Sequence, residues 1–180
     1  MQSEMLEKLR YPIGIFQKPV TISNSQLEEW IADIAAHPRI VKVAIGGLSE
    51  EQLNEPYREG GWTVRQTVHH LADSHLNAYT RFKLALTEDT PIIKPYEEQL
   101  WAELADGKEA PLEWSLLLLE ALHLRWTLLL KSLQSAQFAR TFVHPASGEV
   151  LSLAVVTGMY SWHCRHHVAH ITTLRERMGW

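Results

Sequence analysis

The stretch from Leu153 to Met178 constrains the fold more than any other part of the chain. Ser152 precedes it as a capping residue, and Gly179 follows it as a stop. Arg175 and Arg177 fall in the last turn, where cations suit the helix dipole. Four histidines lie inside the stretch: His163, His166, His167 and His170. On a helix with His163 at 0°, His167 falls at about 40°, His170 at about −20° and His166 at about −60°. Val156 and Leu174 both fall at about 20° on the same projection, so aliphatic residues bound the histidine line above and below. The line therefore faces inward. A helix that buries imidazoles needs partners on other helices, because an unpartnered buried polar group is costly.

Three more helices are predicted. Ser25-Gln26-Leu27-Glu28 has the form of a capping box, which starts the first near Gln26. Pro38 is expected to interrupt it, and a second piece runs to about Ile45 before Gly46-Gly47. Residues 48–61 read as a loop with one turn. A second capping box, Thr63-Val64-Arg65-Gln66, opens the next helix, with Trp62 placed to staple its start. That helix runs to about Leu86 and shows Val64, Val68, Leu71, His75, Tyr79, Phe82 and Leu86 on one face. Pro111 suits the first turn of a leucine-rich helix ending near Leu133. Residues 138–152 fit a small hairpin around Pro145-Ala146-Ser147-Gly148, and residues 1–22, with Pro12, Gly14 and Pro19, an extended arm. With no repeat or long linker, the expectation is an all-α protein, a four-helix bundle in one domain over 1–180.

His163 and His167 form an H-x-x-x-H pair. Residues four apart share a helix face, so both rings can chelate one divalent ion. His70 lies on another helix, on a line with Gln66, Ser74, Asn77 and Arg81 within about 40°. That stripe is either a solvated face or the lining of a polar cavity. Two ligands from one helix and one from another would leave an open coordination position, the mark of a reactive metal site. The competing reading is a set of core histidines bonded to one another. His75 belongs to the core face, His123 is a spare ligand, and His69 is expected to be exposed or to act behind a ligand. Asp73 could orient an imidazole, or be a surface carboxylate. Cys164 points about 100° away from His163. No residue is marked as a general base; Asp73, Asn77 and Arg81 are the polar groups nearest to the proposed site.

Composition excludes several classes. The net charge of −4 carries no basic footprint for nucleic acid. One cysteine permits no disulfide within the chain and fits a reducing cytoplasm. The first residues have no apolar core of a signal peptide, and no apolar run is long enough for a membrane span. H-E-x-x-H, G-x-S-x-G, Walker A and Rossmann fingerprints are all missing.

Gly-Gly-Trp-Thr-Val-Arg-Gln-Thr-Val-His-His-Leu-Ala-Asp-Ser-His (60–75) and Trp-His-Cys-Arg-His-His-Val-Ala-His-Ile-Thr (162–172) resemble the DinB-like superfamily. The likeness is closest to its YfiT-type branch of metal-dependent hydrolases. Tyr11-Pro12-Ile13-Gly14 and Arg177-Met178-Gly179-Trp180 fit that branch as well. The resemblance implies a four-helix bundle with a divalent metal, zinc or nickel, on His70, His163 and His167. It implies a homodimer acting on a small molecule, without nucleic acid or membrane. The leading activity is metal-dependent hydrolysis. The alternatives are a thiol S-transferase of the bacillithiol type, using a low-molecular-weight thiol, and a metal-binding protein without turnover. Where many relatives carry His-Arg-Gly-Gln, this chain has His167-Val168-Ala169-His170, a departure at His170.

Overall fold

A computed structural model describes residues 2–180, with side chains from residue 4 onward. In chain order the elements are α1 (Gln2–Arg10), α2 (Asn24–Ile45), α3 (Glu50–Leu53), α4 (Val64–Thr87), α5 (Glu98–Trp101) and α6 (Ala105–Glu109). Then follow α7 (Leu112–Ser132), α8 (Ser135–Phe138), β1 (Thr141–His144), β2 (Glu149–Ser152) and α9 (Leu153–Met178). The four long helices α2, α4, α7 and α9 form the expected bundle. Around it α2 packs on α9 and α7, and α4 packs on the same two. Successive long helices α2 and α4 are thus diagonal, as are α7 and α9. The β1–β2 hairpin pairs Thr141 with Ser152 through His144 with Glu149, and Gly148 takes the left-handed turn position at φ +66°.

The boundaries follow from capping chemistry. At α4 the Thr63 hydroxyl accepts from the Gln66 amide at 3.1 Å, and the Gln66 side chain accepts from the Thr63 amide at 3.0 Å. Gln66 Nε2 also donates to the Ala102 carbonyl at 2.8 Å, tying the loop after α5 to the helix start. The cap of α2 differs from the expectation: Ser23, not Ser25, accepts from Gln26 N, and the helix begins at Asn24. Pro38 does not interrupt α2, which runs through it unbroken. The arm expected over 1–22 is not wholly extended, because residues 2–10 form α1. Trp62 does more than staple α4: its ring lies 4.4 Å from that of His70.

The core is split. One apolar cluster, around Ile34, Phe82, Trp126, Leu130, Phe142, Leu153 and Val156, lies toward the hairpin. A second, around Val41, Val64, Val68, Leu71, Leu119, Ile171 and Leu174, lies at the other end. Each long helix contributes to both, and between its two contributions come His37, His75, His123 and the α9 histidines. A polar layer therefore crosses the middle of the bundle. Gly158 fits where it does because a Cβ there would meet the Trp30 ring at 2.8 Å.

Removing the α4 cap should loosen the helix that brings His70 into this layer. Thr63→Ala is expected to lower unfolding free energy by about 1 kcal/mol, read from urea denaturation.

Candidate metal centre

Eight of the ten histidines are buried, and His163 is partly so, which makes the layer rather than the surface the place to look for chemistry. His70, His163 and His167 converge: one ring nitrogen from each lies within 4.8 Å of the other two. The ring centroids of His163 and His167 are 4.5 Å apart, and His70 is 4.9 Å from His167 and 5.5 Å from His163. The H-x-x-x-H pair of α9 and His70 of α4 thus meet, which fits the cavity-lining reading of the α4 stripe.

Two other histidine groups are close enough to hold an ion, and their hydrogen bonds argue against it. In the His37, His75 and Cys164 group, His75 has both nitrogens engaged, Nδ1 with His123 at 2.7 Å and Nε2 with His163 at 3.1 Å. In the His166, His167 and His170 group, His170 has Nδ1 on His167 at 3.3 Å and Nε2 on the Arg10 carbonyl at 3.1 Å. His163 and His167 use only Nδ1 in these contacts and keep Nε2 free, and His70 forms no hydrogen bond among the described residues. The His70, His163 and His167 group is therefore the one with donors to spare. Its chemistry suits a divalent ion, since burial lowers the imidazole of His70 to about 4. Burial, with neighbouring histidine charge, also holds His163 and His167 well below their ordinary value. All three are uncharged at neutral pH, as ligands must be.

These rings open onto a cavity of about 660 Å³. Tyr57, Trp62, Tyr160 and Trp162 supply its aromatic wall, and Arg10, Arg58 and Arg81 its cations. Glu97 and Glu98, both exposed, are the carboxylates of its lining. The α4 stripe is accordingly a cavity lining over His70, Ser74 and Arg81. Asn77 instead donates to the Asp73 carbonyl at 2.9 Å. Asp73 does not orient an imidazole: it lies outside the cavity lining, and burial and nearby Asp106 raise its carboxyl to about 6. His69 is not exposed; it binds Ser115 at 2.7 Å and the Ala110 carbonyl at 3.1 Å, away from the converging rings. His123 is not a spare ligand, since it bonds His75 and the Ile34 carbonyl. Arg10, Tyr57 and Arg58 were not marked by the sequence, because they come from loops and a terminal helix with no periodic signal.

A helical bundle whose polar mid-layer presents three convergent, uncharged histidines to a cation-lined cavity is the class that fold and site define. The chain belongs to the DinB superfamily, whose family model matches residues 33–171. It is 52% identical over 172 residues to the Bacillus subtilis protein named "Putative metal-dependent hydrolase YfiT", covering 96% of this chain and 97% of that one. A Bacillus mycoides relative of the same name class is 53% identical over 175 residues, 97% of this chain and 100% of its own. The solved structure described as "YfiT from Bacillus subtilis is a probable metal-dependent hydrolase with an unusual four-helix bundle topology" superposes with TM-score 0.94 at 51% identity. It covers 96% of this chain and 99% of that one.

The histidine layer makes stability depend on pH. His123 drops from 6.5 to about 4, through burial opposed by its bond to Ile34, and His70 and His170 also fall to about 4. Between these values the unfolded chain binds protons that the fold refuses. The stabilisation is complete above about pH 6.5 and is lost as pH falls toward about 4; a single such group accounts for on the order of 3 kcal/mol. The melting temperature of metal-free protein should be level above about pH 7 and fall steeply across that window. A level profile down to about pH 4 would contradict the burial argument.

Proposed function

We propose that the protein is a metal-dependent hydrolase acting on a small anionic molecule, with its divalent ion held by His70, His163 and His167. Zinc is the first choice of ion and nickel the second, since uncharged imidazoles suit both. An ion held by three imidazoles supplies Lewis acidity and an acidified water at an open position. The remaining work falls to the chain. Arg58, Arg81 and His166 all line the cavity, and Arg58 Nε, Arg81 Nε and His166 Nδ1 are buried behind its surface without a hydrogen-bond partner. The positive charge that Arg58 and Arg81 bring to the cavity lining carries the substrate class: it calls for an anion. Trp62 and Trp162 shield the rings of His70 and His166 from solvent at 4.4 Å each. Glu97 and Glu98 stand at the rim, where an exposed carboxylate can take up a proton leaving the cavity.

The same two arginines support a second reading, a thiol S-transferase in which they hold the charged tail of a low-molecular-weight thiol. A metal-binding protein without turnover is the third. The assembly proposed is a cytoplasmic homodimer. Trp114, Leu117, Leu124 and Leu128 of α7 are all more than 60% exposed along one helix face, an apolar surface that a second copy would cover. Among the described residues no helix is long and apolar enough to cross a membrane.

Elemental analysis of purified variants checks the ligand set: His167→Ala and His70→Ala should lose most of the bound metal and His69→Ala should keep it. Equal metal in His167→Ala and the parent would sink the assignment. The reactions separate on mixing metal-loaded protein with an ester and amide panel, and in parallel with a thiol and monobromobimane. Cleavage that needs His70 and weakens in Arg81→Ala, mainly through KM, is the expected result. Thiol conjugation that needs His70, with no cleavage across the panel, would select the transferase.

A further inference from the structure

We propose that two chains of hydrogen-bonded imidazoles, each ending on a backbone carbonyl, fix the tautomers of His163 and His167. His75, His123, His170 and Pro38 are then positioning residues for the metal site. The inference rests on the three-histidine reading above.

The first chain begins at Pro38. In an uninterrupted helix the Ile34 carbonyl accepts from the amide of residue 38, but proline has no N–H to give. The freed carbonyl instead accepts from His123 Nδ1 at 2.6 Å, deep in the core. A carbonyl only accepts, so Nδ1 must carry the hydrogen. An uncharged imidazole has one N–H, which leaves His123 Nε2 as an acceptor. His75 Nδ1 lies 2.7 Å from it and must donate; His75 Nε2 then accepts from His163 Nδ1 at 3.1 Å. The proton order is set link by link from the carbonyl outward. His163 is left with its lone pair on Nε2, the nitrogen outside the chain.

The second chain is shorter. Arg10 ends α1, where carbonyls have no helical donor. His170 Nε2 donates to the Arg10 carbonyl at 3.1 Å, so His170 Nδ1 accepts from His167 Nδ1 at 3.3 Å. Tyr57 stacks on the His170 ring at 3.9 Å between centroids and keeps it in plane. His167, too, is left with its lone pair on Nε2. Both α9 histidines therefore present the same nitrogen, and neither ring can turn over without breaking a buried hydrogen bond.

The nitrogen resonances of the histidine rings in metal-free, 15N-labelled protein test the order directly. His163 and His167 should both be Nδ1–H tautomers, and His170 an Nε2–H tautomer. In His75→Leu the His163 ring should lose its fixed tautomer, and Zn²⁺ affinity, titrated against a chelating dye, should fall by about 10–100-fold. His75→Gln should recover most of that loss, since its amide can donate to His123 and accept from His163. His170→Leu and His170→Gln should repeat the pattern through His167. Far-UV circular dichroism confirms that each variant is folded. An Nε2–H tautomer at His163 or His167 in the parent overturns the proposal, as does parent-like Zn²⁺ affinity in both leucine variants. A parent that binds neither Zn²⁺ nor Ni²⁺ would refute the metal reading alone, and the ring tautomers would still decide the relay.

Discussion

An imidazole taken out of water is held uncharged, and its one N–H must then find an acceptor. This constraint organises the middle of the bundle. The chain buries histidines where other bundles bury leucine, and the apolar core is divided in two on either side of them. Each ring is placed by what it can bond. Backbone carbonyls are the fixed points, because among these groups they alone cannot reverse the direction of a hydrogen bond. Ile34 and Arg10 supply them, one through a proline and one through a helix end.

Pro38 shows how a local rule and a global use can point in opposite directions. A proline inside a helix removes one backbone bond and is expected to stop or kink the helix. Here α2 continues, because packing on α7 and α9 holds it along both sides and His123 takes up the orphaned carbonyl. A proline whose freed carbonyl found no donor would be a defect. Here the proline is half-buried, and the carbonyl it frees faces a donor on the neighbouring helix, so it becomes a connection between two helices.

The helices themselves were legible in the sequence because their signals are local. The Thr63 capping box, the apolar face from Val64 to Leu86, the hairpin around Pro145 and the stop at Gly179 each depend on a few neighbouring residues. The convergence of His70 with His163 and His167 was legible only in part: projection put the α9 pair on one inward face but left the His70 line as either a solvated face or a cavity lining, and the family resemblance chose between them. The shift of the cap from Ser25 to Ser23 was not, since both serines stand before a polar first turn and only backbone conformation separates them. Nor were the partners of His75, His123 and His69. A projection tells which way a ring points, but not which atom of another helix stands opposite at 3 Å. The arginines split the same way: Arg81 could be placed on the His70 line, whereas Arg10 and Arg58 reach the cavity through α1 and the loop before α4, whose paths no periodicity predicts.

The three converging histidines are not equivalent in how they are held. His163 and His167 sit on one helix, each tied at Nδ1 to a chain that runs to the backbone. His70 packs against the rings of Trp62, His163 and His167 but has no hydrogen bond among the described residues to fix its tautomer. Its position depends on how α4 lies against α9, the slighter of the two contacts that α9 makes with long helices. On the proposed reading, an ion there would complete a link between α4 and α9 that packing leaves loose. The α9 pair would offer a preset half-site, and closure would depend on His70 alone. Ordering one side chain on binding costs less than ordering three, because each immobilised rotamer-rich side chain costs about 0.5–1.5 kcal/mol. The buried hydrogen bonds that divide the hydrophobic core are in this sense also what prepares it to receive a metal.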